Sequence, residues 1–458
     1  MRVRGLVFAL VAAGIVAAGC HGGTPSVPLP PSTPFAPDVA TEVHAVRDLA
    51  AQARGLKEAD NIGEGTITRD DLKSYYDAVA AQSRKSDNGN ELGAWNTAYR
   101  LLQMIGPGED ALQEQTTEEA TDVVGLYSPQ DKELVLVDDG SAPLSLDDDI
   151  TLAHEYVHSF QDASFDMNHL QDLEKKEKDD KLNTEYSTTV EALMEGDAEV
   201  ASMDYLGLKL GKEGFTNWLN SAAGGASPQD QTTETALERY AAFPYREGTQ
   251  FVLYLWLKGG WDQVNKAYAD PPKTTEQILH PEKYLAHEEP VGLKLPDLSN
   301  KLGEGWKQLD DSVFGEFDVY NFLRTKSDDD AGSREAATGW NGGRIAIYTQ
   351  NQDSERALVH LVLSWDTEND AIQFTQAFRA HVGSLADDQH PAPVWFSKDL
   401  QSAKMLWEGE NEQIYGWADG QTFRAIFSVQ QPDLEQAMSI LAPGVTRDTI
   451  EADLASGQ

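Results

Sequence analysis

Two histidines four residues apart, with a glutamate directly after the first, stand in the segment Thr151-Leu152-Ala153-His154-Glu155-Tyr156-Val157-His158. On a helix, residues four apart are separated by about 40° around the axis and about 6 Å along it, so both imidazoles can meet one divalent ion. Glu155 then projects beside them, in reach of a water on that ion and able to act as its general base. Ala153, Tyr156, Val157 and Phe160 form the opposite, apolar stripe, which would bury the helix in a core. Imidazoles and a carboxylate left on a buried edge without partners are strongly unfavourable. A bound cation removes that penalty.

Zinc needs a third protein ligand and leaves a fourth position to water. The metzincin solution requires glycine at position 161 and histidine at 164, where this chain has Gln161 and Ser164. The other solution is a glutamate from a later helix. Glu191, Glu195 and Glu199 follow one another at four-residue spacing, with Thr188 and Ser202 extending their face and Val190, Met194, Ala201 and Tyr205 on the other. Three like charges on a partly buried helix face destabilise it unless a cation or donors oppose them. Glu195, in the middle, is the expected third ligand, and Glu191 competes with it. Glu199, one turn on, is placed to orient a liganding histidine. Gly196 costs a helix about 1 kcal/mol relative to alanine, which close approach of the His154–His158 helix would offset.

The elements that must hold these residues are legible from periodicity. Helices are expected near 146–163, 184–209, 233–242 and 246–258, the last ended by Gly259-Gly260. Asp147 is placed to cap the first of them. Val123–Tyr127 and Leu134–Val137 flank the turn signal Ser128-Pro129-Gln130-Asp131 and predict a β-hairpin leading into that helix. Asp60–Asp71 loosely imitates a calcium loop, but Ile62 stands where an oxygen ligand is required, and Thr68 with Asp71 reads instead as a capping box. After about Pro290 the texture changes. Strands are expected at Gly343–Tyr348, Leu358–Ser364, Ile414–Trp417 and Phe423–Val429, with helices near 367–381 and 432–441. This predicts one antiparallel sheet with helices on one face, and an α+β class for the whole chain. His169 and His360 read as surface or core residues.

The chain has 458 residues and one cysteine, Cys20, so a disulfide framework and a cysteine metal site are both excluded. Arg2 and Arg4 precede an apolar run, Leu6–Val16, too short to span a bilayer, and Ala17-Ala18-Gly19 leads into the cysteine. This resembles the bacterial lipobox, which implies export and a lipid on Cys20. His21 offers no acidic retention signal, which favours the outer membrane or the periplasmic face. Residues 21–37 are rich in Pro, Ser and Gly and read as a tether. The resulting division is a signal peptide over 1–20, the tether over 21–37, a metal-binding domain over 38–290 and an α+β domain over 291–458. The formal charge of −40, from 36 basic and 76 acidic residues, argues against nucleic acid and anionic lipid head groups as partners.

The segment His154-Glu155-Tyr156-Val157-His158-Ser159-Phe160-Gln161-Asp162 is similar to the metal-binding helix of thermolysin-like gluzincins, and Glu195 with Glu199 reproduces the spacing of their later glutamate and acidic residue. The interval from His158 to Glu195 is longer than in thermolysin, and the charged Leu170–Leu182 segment accounts for the excess as an insertion. A broader likeness, from about Leu126 to Tyr284, is to little-characterised exported bacterial proteins with the same HExxH, Glu-Gly-Asp-Ala and Glu276-Gln277-Ile278-Leu279-His280-Pro281-Glu282-Lys283-Tyr284 segments. These resemblances imply a mainly helical zincin-like domain, a Zn2+ cofactor and a peptide or protein substrate, with Asp162 and Glu199 supporting the ligands. The aminopeptidase signature of the group is absent, which points to endopeptidase action. Gluzincins stabilise the developing oxyanion with a downstream tyrosine or histidine. His280, with Glu276 one turn earlier to orient it, is the first candidate here and Tyr245 the second. The rival reading is a zinc-binding scaffold lipoprotein without turnover, and a third is a metal-dependent hydrolase of something other than peptides.

Overall fold

The computed structural model describes residues 27–456, apart from 59, 87–90, 138–142, 168–169, 171–184, 226–233, 387–399 and 411. Cys20, the apolar leader, residues 21–26 of the tether, His169 and nearly all of the charged 170–182 segment lie outside the described residues. Among those described, no helix is long and apolar enough to cross a membrane.

The chain is α+β, with two sheets. The first part runs β1 (Thr33–Pro34), α1 (Pro37–Arg54), β2 (Gly63–Ile67), α2 (Arg69–Ser86), α3 (Glu91–Leu101), α4 (Ala111–Asp122), β3 (Gly125–Ser128) and β4 (Glu133–Val137). Its sheet has the order β1-β2-β4-β3. β3 and β4 form the expected antiparallel hairpin, and β2 adds to β4 in parallel. β2 carries two glycines and little apolar surface, a poor strand signal on its own; it forms because β4 offers a ready ladder. Thr68 and Asp71 exchange hydrogen bonds at the start of α2, as a capping box does. The tether is shorter than read from composition. Thr33 and Pro34 pair with Thr66 and Gly65, and the Leu29 amide donates to Asp131 at 3.0 Å.

Three long helices follow: α5 (Leu146–Phe165), α6 (Tyr186–Gly225) and α7 (Ala236–Gly259). Ser145, not Asp147, caps α5, in a reciprocal box with Asp148 at 3.1 and 2.8 Å. α6 passes its expected end and breaks direction only at Gly211, where φ is 63°. The two helices expected on either side of Pro244 are one. Proline removes a donor and costs a helix interior about 3 kcal/mol, and here Phe243, Gly248, Phe251, Val252 and Leu255 are buried along the same helix and offset it.

Short helices α8 (Trp261–Ala269), α9 (Thr275–Leu279), α10 (Pro281–Leu285) and α11 (Ser299–Leu302) lead into the last part. It comprises β5 (Trp306–Val313), α12 (Glu316–Arg324), α13 (Asp330–Ala337), β6 (Trp340–Gln350), β7 (Asp353–Trp365), α14 (Glu368–Gly383), β8 (Lys404–Glu408), β9 (Gln413–Asp419), β10 (Thr422–Ser428), α15 (Gln431–Leu441) and α16 (Arg447–Ser456). The six strands are antiparallel in the order β5-β6-β7-β10-β9-β8. Helices cover both faces rather than the single face expected. Ile345, Ile347, Val359, Leu361 and Phe427 pack with Tyr99, Phe322 and Phe378, while Tyr348, Leu358, Tyr415 and Ile426 pack with Leu302, Leu434 and Met438. The first of these clusters also contains Leu193 and Phe251, so one core runs across position 290.

α6 and α7 meet backbone to backbone at Gly196 and Gly248. A Cβ on Gly196 would fall on the carbonyl of Gly248, and one on Gly248 would fall on the carbonyl of Ala192. Gly196 therefore admits α7, not the histidine-bearing helix for which close approach was expected. Since backbone lies on the far side of each contact, relief requires separating the helices. Gly248→Ala is expected to destabilise the fold at the upper end of the range for overpacking, roughly 1–3 kcal/mol, read as a lowered urea midpoint with an unchanged slope.

Candidate metal centre

α5 and α6 pack side by side and bring His154, His158 and Glu195 together with no exposed side-chain surface. The Glu195 Oε2 atom lies 3.0 Å from Nε2 of His154 and 3.4 Å from Nε2 of His158, and the two imidazole rings stand nearly perpendicular with centroids 4.7 Å apart. One ligand atom from each residue falls within 4.8 Å of the others. Metal–ligand bonds of about 2.0–2.2 Å set the ligand atoms of a tetrahedral site about 3–4 Å apart, so the donor set has the spacing a small divalent ion needs. The unclaimed polar atoms agree with this. Within the described residues, Oε1 of Glu195 is buried without a hydrogen bond, and both carboxylate oxygens of Glu155 are buried with no side-chain donor. Such groups are rare in a folded interior unless something else is bound there.

Burial and mutual charge together set the electrostatics of the cluster. Burial pushes the Glu155 carboxyl up to about 8, the Glu195 charge adds to this and His158 opposes it. Burial likewise raises Glu191 and Glu199 to about 8, each assisted by the charge of Glu195. Glu195 goes the other way: the two imidazoles outweigh its desolvation and hold it at about 2. Burial works against charge on His158, yet Glu195 and Glu155 overcome it and lift His158 to about 9; at His154 burial prevails and lowers it to about 4. Glu195 and His158 thus favour each other's charged form, whereas burial makes Glu155, Glu191 and Glu199 favour the neutral form.

Glu195 rather than Glu191 joins the histidines. Glu199 approaches Nδ1 of His154 at 3.6 Å, on the side expected. Asp162 does not reach a ligand: it accepts from the Tyr127 hydroxyl at 2.7 Å and pairs with Lys132, fastening α5 to the hairpin. The residue that serves His158 is Gln161, whose Oε1 lies 2.9 Å from Nδ1, while its Nε2 donates at 3.0 Å both to the Met194 carbonyl and to Asp197. Asp197 in turn accepts from Tyr268 at 2.6 Å and pairs through two nitrogens with Arg54, whose guanidinium also lies over Trp261 and donates to Asn265. The Asp197 side chain and Arg54 are both without exposure. The i,i+3 reach from His158 to Gln161 was available in the sequence as a signal; nothing there linked Arg54 to the site.

Of the two candidates for oxyanion donor, the fold brings Tyr245 to the centre. Its ring lies 6.4 Å from that of His154 at an interplanar angle of 26°, and burial together with Glu195, Glu191 and Glu155 keeps its hydroxyl protonated far above the usual range. His280 belongs elsewhere. Its Nε2 lies 2.8 Å from Glu316 at the start of α12, and Glu276, expected to orient it, pairs with Lys283 instead. A second cluster with ligand-like spacing, Glu276, Glu288 and Asp366, is satisfied by that same lysine, whose ammonium lies 2.6–2.8 Å from all three. His360 is a buried residue of β7, lowered to about 4 by burial and then Arg424.

A family described only as a domain of unknown function, DUF8575, matches residues 304–436, which span β5 to the middle of α15 and leave His154, His158 and Glu195 outside. No curated protein and no solved structure matches the chain.

The ion pair under the site carries a sharp consequence for stability. Removing one member of a fully buried pair strands the other charge and costs about 3–5 kcal/mol. Asp197→Ala is expected to lose that much in urea unfolding, whereas the double variant Arg54→Met with Asp197→Leu is expected to recover more than half of it. Simple addition of the two single losses would contradict the pairing.

Proposed function

We propose that this chain is a zinc-dependent peptidase with a zincin-like central domain, exported and held in the bacterial cell envelope by a lipid on Cys20. The observation that carries the reading is the Glu155 carboxyl: fully buried, with no side-chain donor among the described residues, and beside a three-residue ligand set of suitable spacing.

His154, His158 and Glu195 would hold the ion, and Gln161 and Glu199 would steady the imidazoles. When bound there, zinc would supply a Lewis acid for the scissile carbonyl and lower the pKa of a water. Glu155 would act as general base toward the attacking water and pass the proton to the departing amine, so that one water is consumed and one C–N bond broken. Tyr245 keeps its hydroxyl proton and can donate it as a hydrogen bond to the oxygen that gains charge. An extended peptide would pair with β3, the last strand of its sheet among the described residues, where Gly125 runs so close to α5 that a Cβ there would meet Glu155 Cγ at 3.5 Å. Adding a strand to that edge fixes a substrate by its main chain alone, which suits an endopeptidase.

Purified protein should contain close to one zinc per chain. Glu155→Gln should retain the metal and lose at least about 100-fold in hydrolysis of denatured protein, the scale of a lost general base; His154→Ala and Glu195→Ala should lose both metal and cleavage. Equal proteolysis by wild type and Glu155→Gln would sink the mechanism. Zinc retained by wild type with no cleavage of any protein or peptide offered would leave a binding or scaffold role for the same ligands.

A further inference from the structure

The amide of Gln161 can be oriented in only one way. Its nitrogen side faces two oxygens that cannot donate, the Met194 carbonyl and Oδ2 of Asp197, each at 3.0 Å. Reversing the amide would set its oxygen against both. The nitrogen therefore spends its two protons there, and Oε1 is left facing Nδ1 of His158 at 2.9 Å as a pure acceptor. An acceptor at that distance requires a proton on Nδ1.

Asp197 is fixed just as firmly. It receives the Tyr268 hydroxyl at 2.6 Å, the Gln161 amide and two guanidinium nitrogens of Arg54, a cation that does not lose its proton. With so many donors directed at it, the carboxylate has no role but acceptor. The direction of every hydrogen bond from Arg54 to the imidazole is thereby set, over four side chains drawn from α1, α5 and α6.

We propose that Gln161, held by Asp197 and Arg54, locks a proton onto Nδ1 of His158, so that Nε2 is the nitrogen turned to a cation and helix α1 becomes, through Arg54, part of the metal-binding apparatus. The inference rests on the metal reading of the site. Gln161, Asp197 and Arg54 act here as positioning residues, since none supplies a ligand atom. The side chain of Arg54 lies 143 residues from Asp197 in sequence, so the ion's affinity depends on the correct docking of an N-terminal helix that contains no ligand.

The test uses the full mature chain and has two readouts. The first is the ring-nitrogen NMR spectrum of histidine-labelled, metal-free protein, which reports the proton on each nitrogen without any metal. His158 is expected to show a slowly exchanging Nδ1 proton in wild type and to lose that slow exchange in Gln161→Met, a variant of similar volume with no amide. The second is zinc affinity by competition with a chromophoric chelator, expected to fall about 10–100-fold in Gln161→Met, the range for loss of a group that orients a ligand. Tyr268→Phe, which removes one donor to Asp197 with little change in packing, is the second variant, and a smaller loss of zinc affinity with a melting curve near that of wild type supports the relay. An unprotonated Nδ1 in wild type overturns the proposal whatever the zinc result, as does a folded Gln161→Met with wild-type zinc affinity. Wild-type protein that holds the Nδ1 proton yet takes up no zinc would overturn the metal reading and, with it, the assignment of α1 to metal binding.

Discussion

A single desolvated ion pair, Arg54 with Asp197, is the point about which the central helices are assembled. Neither side chain is exposed, and an unpaired charge at that depth is among the least tolerable features of a protein interior. The pair therefore obliges α1 to dock against α6, and Asp197, by accepting from Gln161 and Tyr268, draws in α5 and α8 as well. Four helices are oriented by one carboxylate. The ligand atoms then follow from helical geometry: Glu195 lies two residues before Asp197 and His158 three before Gln161. The candidate site is specified from beneath, by polar groups that offer it no ligand atom.

Close packing does the complementary work. Gly196 and Gly248 let α6 and α7 meet without intervening side chains, and this brings Tyr245 over His154. A residue with a side chain at either glycine would shift Tyr245 relative to the imidazole, so the glycine that weakens the α6 helix locally is the one that aligns a donor with the centre. Burial along α7 also explains why it passes through Pro244 unbroken. The lost backbone bond is local, whereas the apolar surface buried along both sides of the proline is spread over the whole helix.

Long amphipathic elements were legible in the chain, and so were the residues whose chemistry depends on local spacing. The His154–His158 pair, the glutamate row and its middle member, the hairpin, and four of the six strands of the second sheet all follow from periods of 3.6 and 2. What escaped were features stabilised from a distance. β2 has a weak sequence signal and exists because β4 pairs with it; β5 and β8 are sheet edges, half-buried or short, and carry little alternation. Pro244 reads locally as a break, and tertiary burial overrides it. Among site residues, His280 had every local credential but pairs with Glu316, while Asp162 turned to Tyr127 and Lys132. Arg54 could not be found at all, because its partner is far away along the chain and no local pattern marks a buried arginine.

The recognised C-terminal region, 304–436, does not coincide with a self-contained piece of this molecule. One face of its sheet rests on α3, where Trp95 donates to Asp310 at 2.7 Å and Tyr99 and Leu102 are buried in the shared core. Cut out along those limits, the module would present a broad oily surface to water, a liability for solubility. In this chain the helix that covers that face therefore lies outside the boundaries by which the module is detected.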